Sequence, residues 1–498
     1  MATGVHSSLL FATCFLLLPT LYLLYRVHRH PLARYPGPPL AAVTSLVHTF
    51  HFLTGDAVAW LDGLHRRYGD VVRIEPDRLS YINSNAWKDI YGHATSTHKA
   101  NSKDGKNSKN LFSNGSYSIS SAHGAEHSRL RKIFSNAFSD RAISKQEPMM
   151  LLYVHQMVDL IHREISRTED SDDGAVLDAV SLFNFATFDI MADLTFGESL
   201  GCLQKGGSNP WVDAVQVNLK SMAIKGKLRP YPSLSYIWSL FQANEDKHAV
   251  NLHVQNSQNR VTKRLENRDD SKDDIWGLVL KAEGPSALTR VEMNNNANNF
   301  MIVGTETSAT ALSALTFLLL ANPDKLDRLN REIRSVDDPD ELKDEYLKRM
   351  PYLQACLNET LRLYPPVPTG GLRVVGHGGN RILGQIVPAE TKLSFATWTA
   401  FRTPLYWKDG GMFTPERWLL NEKDYEDHHD YDRREVFQPF GVGPHACIGK
   451  NLAYQEMRLL YANFLYHFDI QLCPESETWM KDQKCWTLWF KEELKIRK

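Results

Sequence analysis

The sequence predicts an α+β fold: mainly helical, with a smaller β region, in one large domain behind an N-terminal transmembrane helix. Three observations predict it. Apolar residues recur near a 3.6-residue period at about 126–138, 149–165, 183–196, 245–266, 291–321, 323–335 and 450–466. Strand-like runs are fewer and shorter, at 71–75, 79–83, 372–375, 381–387 and 392–396, with a last group near 468–490. Residues 1–25 contain no Lys, Arg, Asp or Glu.

That first stretch reads as an address. Residues 1–8 would be a luminal N-terminus and 9–25 (LLFATCFLLLPTLYLLY) a transmembrane anchor, just long enough to span as a helix. Pro19 interrupts the run, which membrane helices tolerate. The basic flank that follows carries Arg26, Arg29 and Arg34 and puts the rest of the chain in the cytosol. A cleaved signal peptide is the alternative, but no basic residue precedes the apolar run. The flank and a proline-rich hinge, YPGPP at 35–39, complete the segment 26–39, and 40–498 forms the large domain that follows. In that topology the sequons at Asn114 and Asn358 stay unmodified.

The chain has 498 residues, enough for one large core or two packed subdomains. Its net charge of −1 gives no support to a nucleic-acid partner. Polar loops are expected at 98–116, 166–174 and 267–274. Cysteines stand at 14, 202, 356, 447, 473 and 485, without a C-x-x-C pair and too scattered for a disulfide framework. Most read as buried, reduced core residues. Cys447 does not, because it sits in the glycine-rich run PFGVGPHACIGKNLA, 439–453, where a helix opens.

Two further motifs precede it. In LNETLRLYPP, 357–366, Glu359 and Arg362 share a helix face at i and i+3. Alone, such a pair is usually a solvated ion pair worth little. FTPERW follows at 413–418, thirty residues ahead of Cys447 when counted from Arg417. Taken in order, these three motifs resemble those of the cytochrome P450 family, whose haem-binding loop is matched by Phe440, Gly441, Gly443, His445, Cys447 and Gly449. The resemblance covers nearly the whole chain and implies the P450 fold.

What the resemblance implies can be placed residue by residue. Cys447 would be the axial ligand of the iron of haem b (iron protoporphyrin IX). A thiolate ligand pushes electron density toward bound oxygen, and a helix N-terminus favours the thiolate. His445 stands where arginine is commoner and would contact a haem propionate; Arg131 and His127, in EHSRLRKIF, and Arg373, in GGLRVV, would do the same. Glu359, Arg362 and Arg417 would form a buried structural triad. In NNFMIVGTETSATALSALTFLLL, 298–320, Thr307 matches the alcohol that orders a proton path, and Glu306 its acidic neighbour. Gly304 would permit a local widening of that helix, and Val303 departs from the usual Ala or Gly. Without the cysteine loop, Thr307 would read as a core hydroxyl bonded to its own backbone.

The class implied is a haem-thiolate monooxygenase of the microsomal, filamentous-fungal type, acting on a lipophilic small molecule with O2 at the endoplasmic reticulum membrane. The sequence has no G-x-G-x-x-G dinucleotide site, so electrons would come from an NADPH–cytochrome P450 reductase, with cytochrome b5 as a further donor. Arg129, Lys132, Lys450 and Arg458 are candidates for its docking patch. Phe112, Met222, Phe300, Val303, Val367 and Trp486 are candidate substrate contacts, each otherwise a core residue. Two rivals are kept: a haem-thiolate isomerase or dehydratase needing no electrons, and a membrane-anchored haem sensor or carrier.

Overall fold

The computed structural model describes the chain except residues 1–16, 19, 96–98, 104–115, 168–173, 208, 243, 268–273, 280–286, 420–429 and 482, and the side chains of 244–247. Most of the transmembrane anchor expected at 9–25, the sequon at Asn114, Cys14 and Phe112 lie outside the described residues, as do parts of the three polar loops.

Two compact units make up the chain. The smaller, Met1–Asp104 with Thr369–Ala400, holds a five-stranded sheet. Its order is Val71–Glu75, Arg78–Tyr81, Lys392–Phe395, Arg373–Val374, Ser102–Lys103. The second and third strands run parallel, with Leu79 opposite Leu393, and the other neighbours are antiparallel. Leu61, Leu64, Val72 and Ile74 form a cluster between the helix Ala57–Tyr68 and the first strand. The expected strand at 381–387 is a short hairpin, Asn380–Ile382 with Gln385–Val387.

The proline-rich hinge lies along the first strand of this sheet. Arg73 N–H donates to Pro36 O at 2.8 Å. A Cβ on Gly37 would stand 2.3 Å from Arg73 O, so only glycine lets the two backbones approach. The buried Arg73 guanidinium donates to the carbonyls of Arg26, Ala42 and Pro76. Burial, with Arg26 nearby, pulls it down to about 10.

The larger unit, Gly105–Pro368 with Phe401–Lys498, is built around a central helix, Arg290–Leu320. Thr289 and Glu292 close its first turn as a capping box. It packs on Ala179–Phe196 and on Lys450–His467, and it is buried nearly all round, with an asparagine-rich first half and an apolar last part. Arg290–Leu320 and Ala179–Phe196 are each long and apolar enough to cross a membrane, but both are core helices here, 83% buried. Among the central helix's residues beyond its first turn, Val303 stands out at 42% exposed.

The periodic stretches of the sequence are helices at close to their expected bounds, with one informative difference. The helix expected at 149–165 runs Asp140–Arg167, straight through Pro148. Its earlier turns bury Ala142, Ile143 and Gln146 on the stripe that continues through Met150 and Tyr153. That packing outweighs the hydrogen bond a proline forfeits. The last β group of the sequence separates into a hairpin, Lys484–Trp486 with Leu488–Phe490, and a three-stranded sheet of Val176–Asp178, Lys495–Arg497 and Gln471–Leu472.

Candidate active site

The cysteine loop folds back on itself. Gly441 and Gly443 adopt φ of 69° and 76°, a region that L side chains rarely enter. Gly441 N–H donates to Gln438 O at 2.9 Å, Ala446 N–H to Gly443 O at 3.1 Å and Cys447 N–H to Phe440 O at 2.8 Å. Gly449 is the N-cap of Lys450–His467 and carries no capping side chain. The backbone N–H groups of that turn are therefore left for a partner, and that of Gly449 is near enough to the Cys447 sulfur to favour its thiolate.

Cys447 is exposed, yet protein surrounds it closely enough that burial is the largest influence on its thiol. An exposed side chain in such surroundings lines a recess. Burial pushes the thiol up, while the Gly449 N–H, Arg131 and Lys450 pull it down. The remaining described cysteines, Cys202, Cys356, Cys473 and Cys485, are free and buried.

Basic groups gather beside the loop. Arg131, on the helix Gly124–Ser135, donates to Ala446 O. The His127 and His445 rings are 3.8 Å apart and inclined at 51°. Arg131, His127 and His445 thus come together next to Cys447. Arg373 belongs to the smaller unit, where it is buried, stands 4.9 Å from the Tyr91 ring and donates to Leu372 O.

On the central helix Thr307 donates to Val303 O at 2.8 Å, so Thr307 and the exposed Val303 share one face. Gly304 does not widen the helix, which is regular throughout. Instead, a Cβ there would meet Met191 Sδ at 2.7 Å, so Gly304 is what lets Ala179–Phe196 approach. Glu306 is buried and accepts from Lys491 Nζ at 2.7 Å through Oε2. Lys491 was not singled out from the sequence. The local sequence carries no signal for it, since Trp486, Leu488, Trp489 and Phe490 show no apolar–polar alternation.

The triad forms as a closed set. Glu359 takes two bonds from Arg362, at 2.8 and 2.7 Å, and one from Arg417 at 3.0 Å, with none of the three side chains exposed. Burial pushes the Glu359 carboxyl up, but the two guanidiniums outweigh it and hold the group below its usual range. Trp418 Nε1 also donates to Glu359, and Asp432 accepts from Arg417. The sequence singled out neither Trp418 nor Asp432.

Of the candidate substrate contacts, Val303 and Val367 are exposed at 42% and 39%. Met222 and Trp486 are half-buried. Phe300 is closed into the core by Phe134 and Phe138, with ring centroids 4.9 and 5.6 Å away. Two members of the expected docking patch are engaged elsewhere. Arg458 is buried against Asp344, and Arg129 pairs with Glu126 and Glu292; Lys132 and Lys450 are exposed.

Residues 36–496 match the family model described as Cytochrome P450. The chain belongs to the cytochrome P450 family. It is 42% identical over 481 residues to the cytochrome P450 monooxygenase FUM2 of Gibberella moniliformis, covering 95% of this chain and 99% of that one. The cytochrome P450 monooxygenase AMT3 of Alternaria alternata is 40% identical, covering 95% of both chains. Averantin hydroxylase of Dothistroma septosporum is 37% identical, covering 95% of this chain and 87% of its own. The protein is therefore a P450 monooxygenase, of the haem-thiolate class. Its residues fit that group: a thiol open to a recess, a backbone N–H near the sulfur, and a guanidinium with two imidazoles beside it for carboxylate-bearing edges.

Proposed function

We propose that this P450 oxidises a lipophilic small molecule in fungal secondary metabolism, using haem b and electrons delivered from NADPH by an NADPH–cytochrome P450 reductase, with cytochrome b5 as a second donor. The observation that carries the reading is the Cys447 thiol, exposed in a loop closed by the Cys447 N–H to Phe440 O bond, two residues before the N-cap of a helix. Sulfur so placed can be held as thiolate once an iron neutralises it.

Haem, when bound, supplies the activation of O2 and the insertion of one oxygen atom into the substrate. The chain's own residues do the rest. Cys447 Sγ would hold the iron, and the Gly449 N–H would stabilise the negative sulfur. Arg131, His127 and His445 orient the propionates, and Arg373 is proposed as a further donor. Thr307 Oγ1 holds a proton on the face it shares with Val303, and Glu306, the next residue back, resupplies it. Val303, on that face, and the exposed Val367 are the apolar side chains proposed to meet a lipophilic substrate. Similarity to FUM2, AMT3 and averantin hydroxylase supports a specialised fungal metabolite as the substrate class.

The N-terminal segment is proposed to anchor the enzyme in the endoplasmic reticulum membrane, with the catalytic part cytosolic. Its exposed Leu17, Leu18, Leu21, Tyr22, Leu23 and Leu24 support that reading. The test is reconstitution of the full chain with the reductase in vesicles and a panel of aliphatic and aromatic polyketides. Substrate-dependent NADPH use with an oxygenated product is expected. Conversion without NADPH would instead indicate an isomerase or dehydratase.

A further inference from the structure

Lys491 has no part in the reaction as described, yet its place in the core is exacting. The side chains of Lys491 and Glu306 are 0% and 2% exposed. Taking two charges out of water costs several kcal/mol per ion, so such a pair survives only with good geometry and further hydrogen bonds. Both conditions hold. Nζ lies 2.7 Å from Glu306 Oε2 and donates also to Thr310 Oγ1, at 3.0 Å, one turn further along the central helix. The backbone that carries Lys491 is fixed as well, because Trp489, two residues earlier, donates through Nε1 to Pro365 O at 2.9 Å.

The clamp takes hold of one carboxylate oxygen. The other, Oε1, is buried and accepts no hydrogen bond among the described residues. Buried acceptors in folded proteins are nearly always satisfied, by protein or by water. Glu306 borders a small cavity with Gln216, Lys220, Trp486 and Phe490 around it, and water there is the natural partner for Oε1. Thr307, the next residue, lies about 100° further round the helix, on the exposed face with Val303.

We propose that Lys491 is the positioning residue for Glu306. It pins Oε2, so Oε1 alone takes a proton from cavity water and passes it toward Thr307. The carboxylate is regenerated when the proton moves on, and bulk solvent returns to the cavity water the proton it gave up. This rests on the reading of Glu306 and Thr307 as the proton-handling pair, and it adds a residue from the far end of the chain to that pair.

The experiment compares Lys491→Met, Lys491→Arg, Glu306→Gln and the Glu306→Gln/Lys491→Met double variant as haem-loaded full chains. Lys491→Met is expected to lower kcat and the product formed per NADPH about tenfold with KM unchanged, less than the ~10² lost with a catalytic acid. Lys491→Arg keeps the cation and restores most of the coupling. In the resting-state infrared difference spectrum of Lys491→Met against wild type the carboxylate bands of Glu306 shift, and the difference between the double variant and Glu306→Gln lacks that change. The double variant, which removes both charges, is expected to behave as Glu306→Gln alone. It carries the test if Lys491→Met does not fold. Normal coupling in Lys491→Met beside an impaired Glu306→Gln would overturn the role of Lys491 while leaving Glu306 in place. A further loss on adding Lys491→Met to Glu306→Gln would overturn it too, assigning Lys491 to packing. Normal coupling in Glu306→Gln would instead remove the reading on which the proposal rests.

Discussion

Arg417 reaches Glu359 across 58 residues of sequence, Nε to Oε1 at 3.0 Å, with neither side chain exposed. The contact ties the PERW turn to the helix Pro351–Leu363, and Asp432 accepts from the other side of the same guanidinium. Arg417→Met would leave buried Asp432 without its guanidinium and Glu359 with Arg362 as its one remaining bonded cation. It is expected to cost roughly 3–5 kcal/mol, read as a lower urea midpoint and a loss of haem per chain on purification. Glu359→Gln should do the same, because Arg362 and Arg417 both lose the negative charge they share and an NH2 group replaces one acceptor oxygen.

Gly37 and Gly304 make a contrasting pair. A methyl on Gly37 meets the Arg73 carbonyl at 2.3 Å, and a backbone cannot move aside cheaply. A methyl on Gly304 meets the flexible Met191 side chain at 2.7 Å, which can repack. Gly37→Ala should therefore destabilise by about 1–3 kcal/mol and Gly304→Ala by clearly less, measured by thermal unfolding of the two variants in parallel.

Glu456, on the helix that follows the cysteine loop, predicts a pH dependence. Burial pushes its carboxyl up to about 8 from an ordinary 4.5, against a smaller opposing pull from a Ser308 hydrogen bond. The folded chain keeps this proton where the unfolded chain gives it up. The group's contribution to stability is thus complete below about pH 4.5 and is lost progressively up to about pH 8. Glu456→Gln should be less pH-sensitive than wild type over that window, and the more stable of the two at the alkaline end. Urea midpoints across the window check it; parallel slopes for the two proteins would contradict it.

Charge reversal separates surface from core among the basic residues near the cysteine loop. Lys132 and Lys450 are exposed, so Lys132→Glu with Lys450→Glu should leave folding intact. The pair should raise the reductase concentration needed for half-maximal turnover, more so at low salt. Arg458→Glu would instead face Asp344 in the interior and lose the fold. An unchanged reductase requirement in the double surface variant would remove this face from the docking site.

Much of this molecule could be read from its sequence because its chemistry is local. The glycines, histidine and cysteine of the loop lie within a few residues of one another, and the long helices announce themselves by period. What escaped depends on contacts between distant segments. Asp432 and Trp418 join Glu359 and Arg417 only after folding, and Lys491 meets Glu306 across 185 residues. Arg458 reads as a surface charge until Asp344 is seen against it. Gly304 looked like a site of helix widening, and the neighbour that explains it, Met191, lies on another helix. The helix expected from 149 starts at Asp140 instead, because the cost of Pro148 is local while the packing that offsets it is not.

The most direct test is the spectrum of the reduced protein with carbon monoxide, recorded beside Cys447→Ala. A far-red-shifted Soret band in the wild type, lost in the variant, is expected from thiolate ligation by Cys447. A conventional haem–CO band from native wild type, or folded wild type that takes up no haem, would contradict the account.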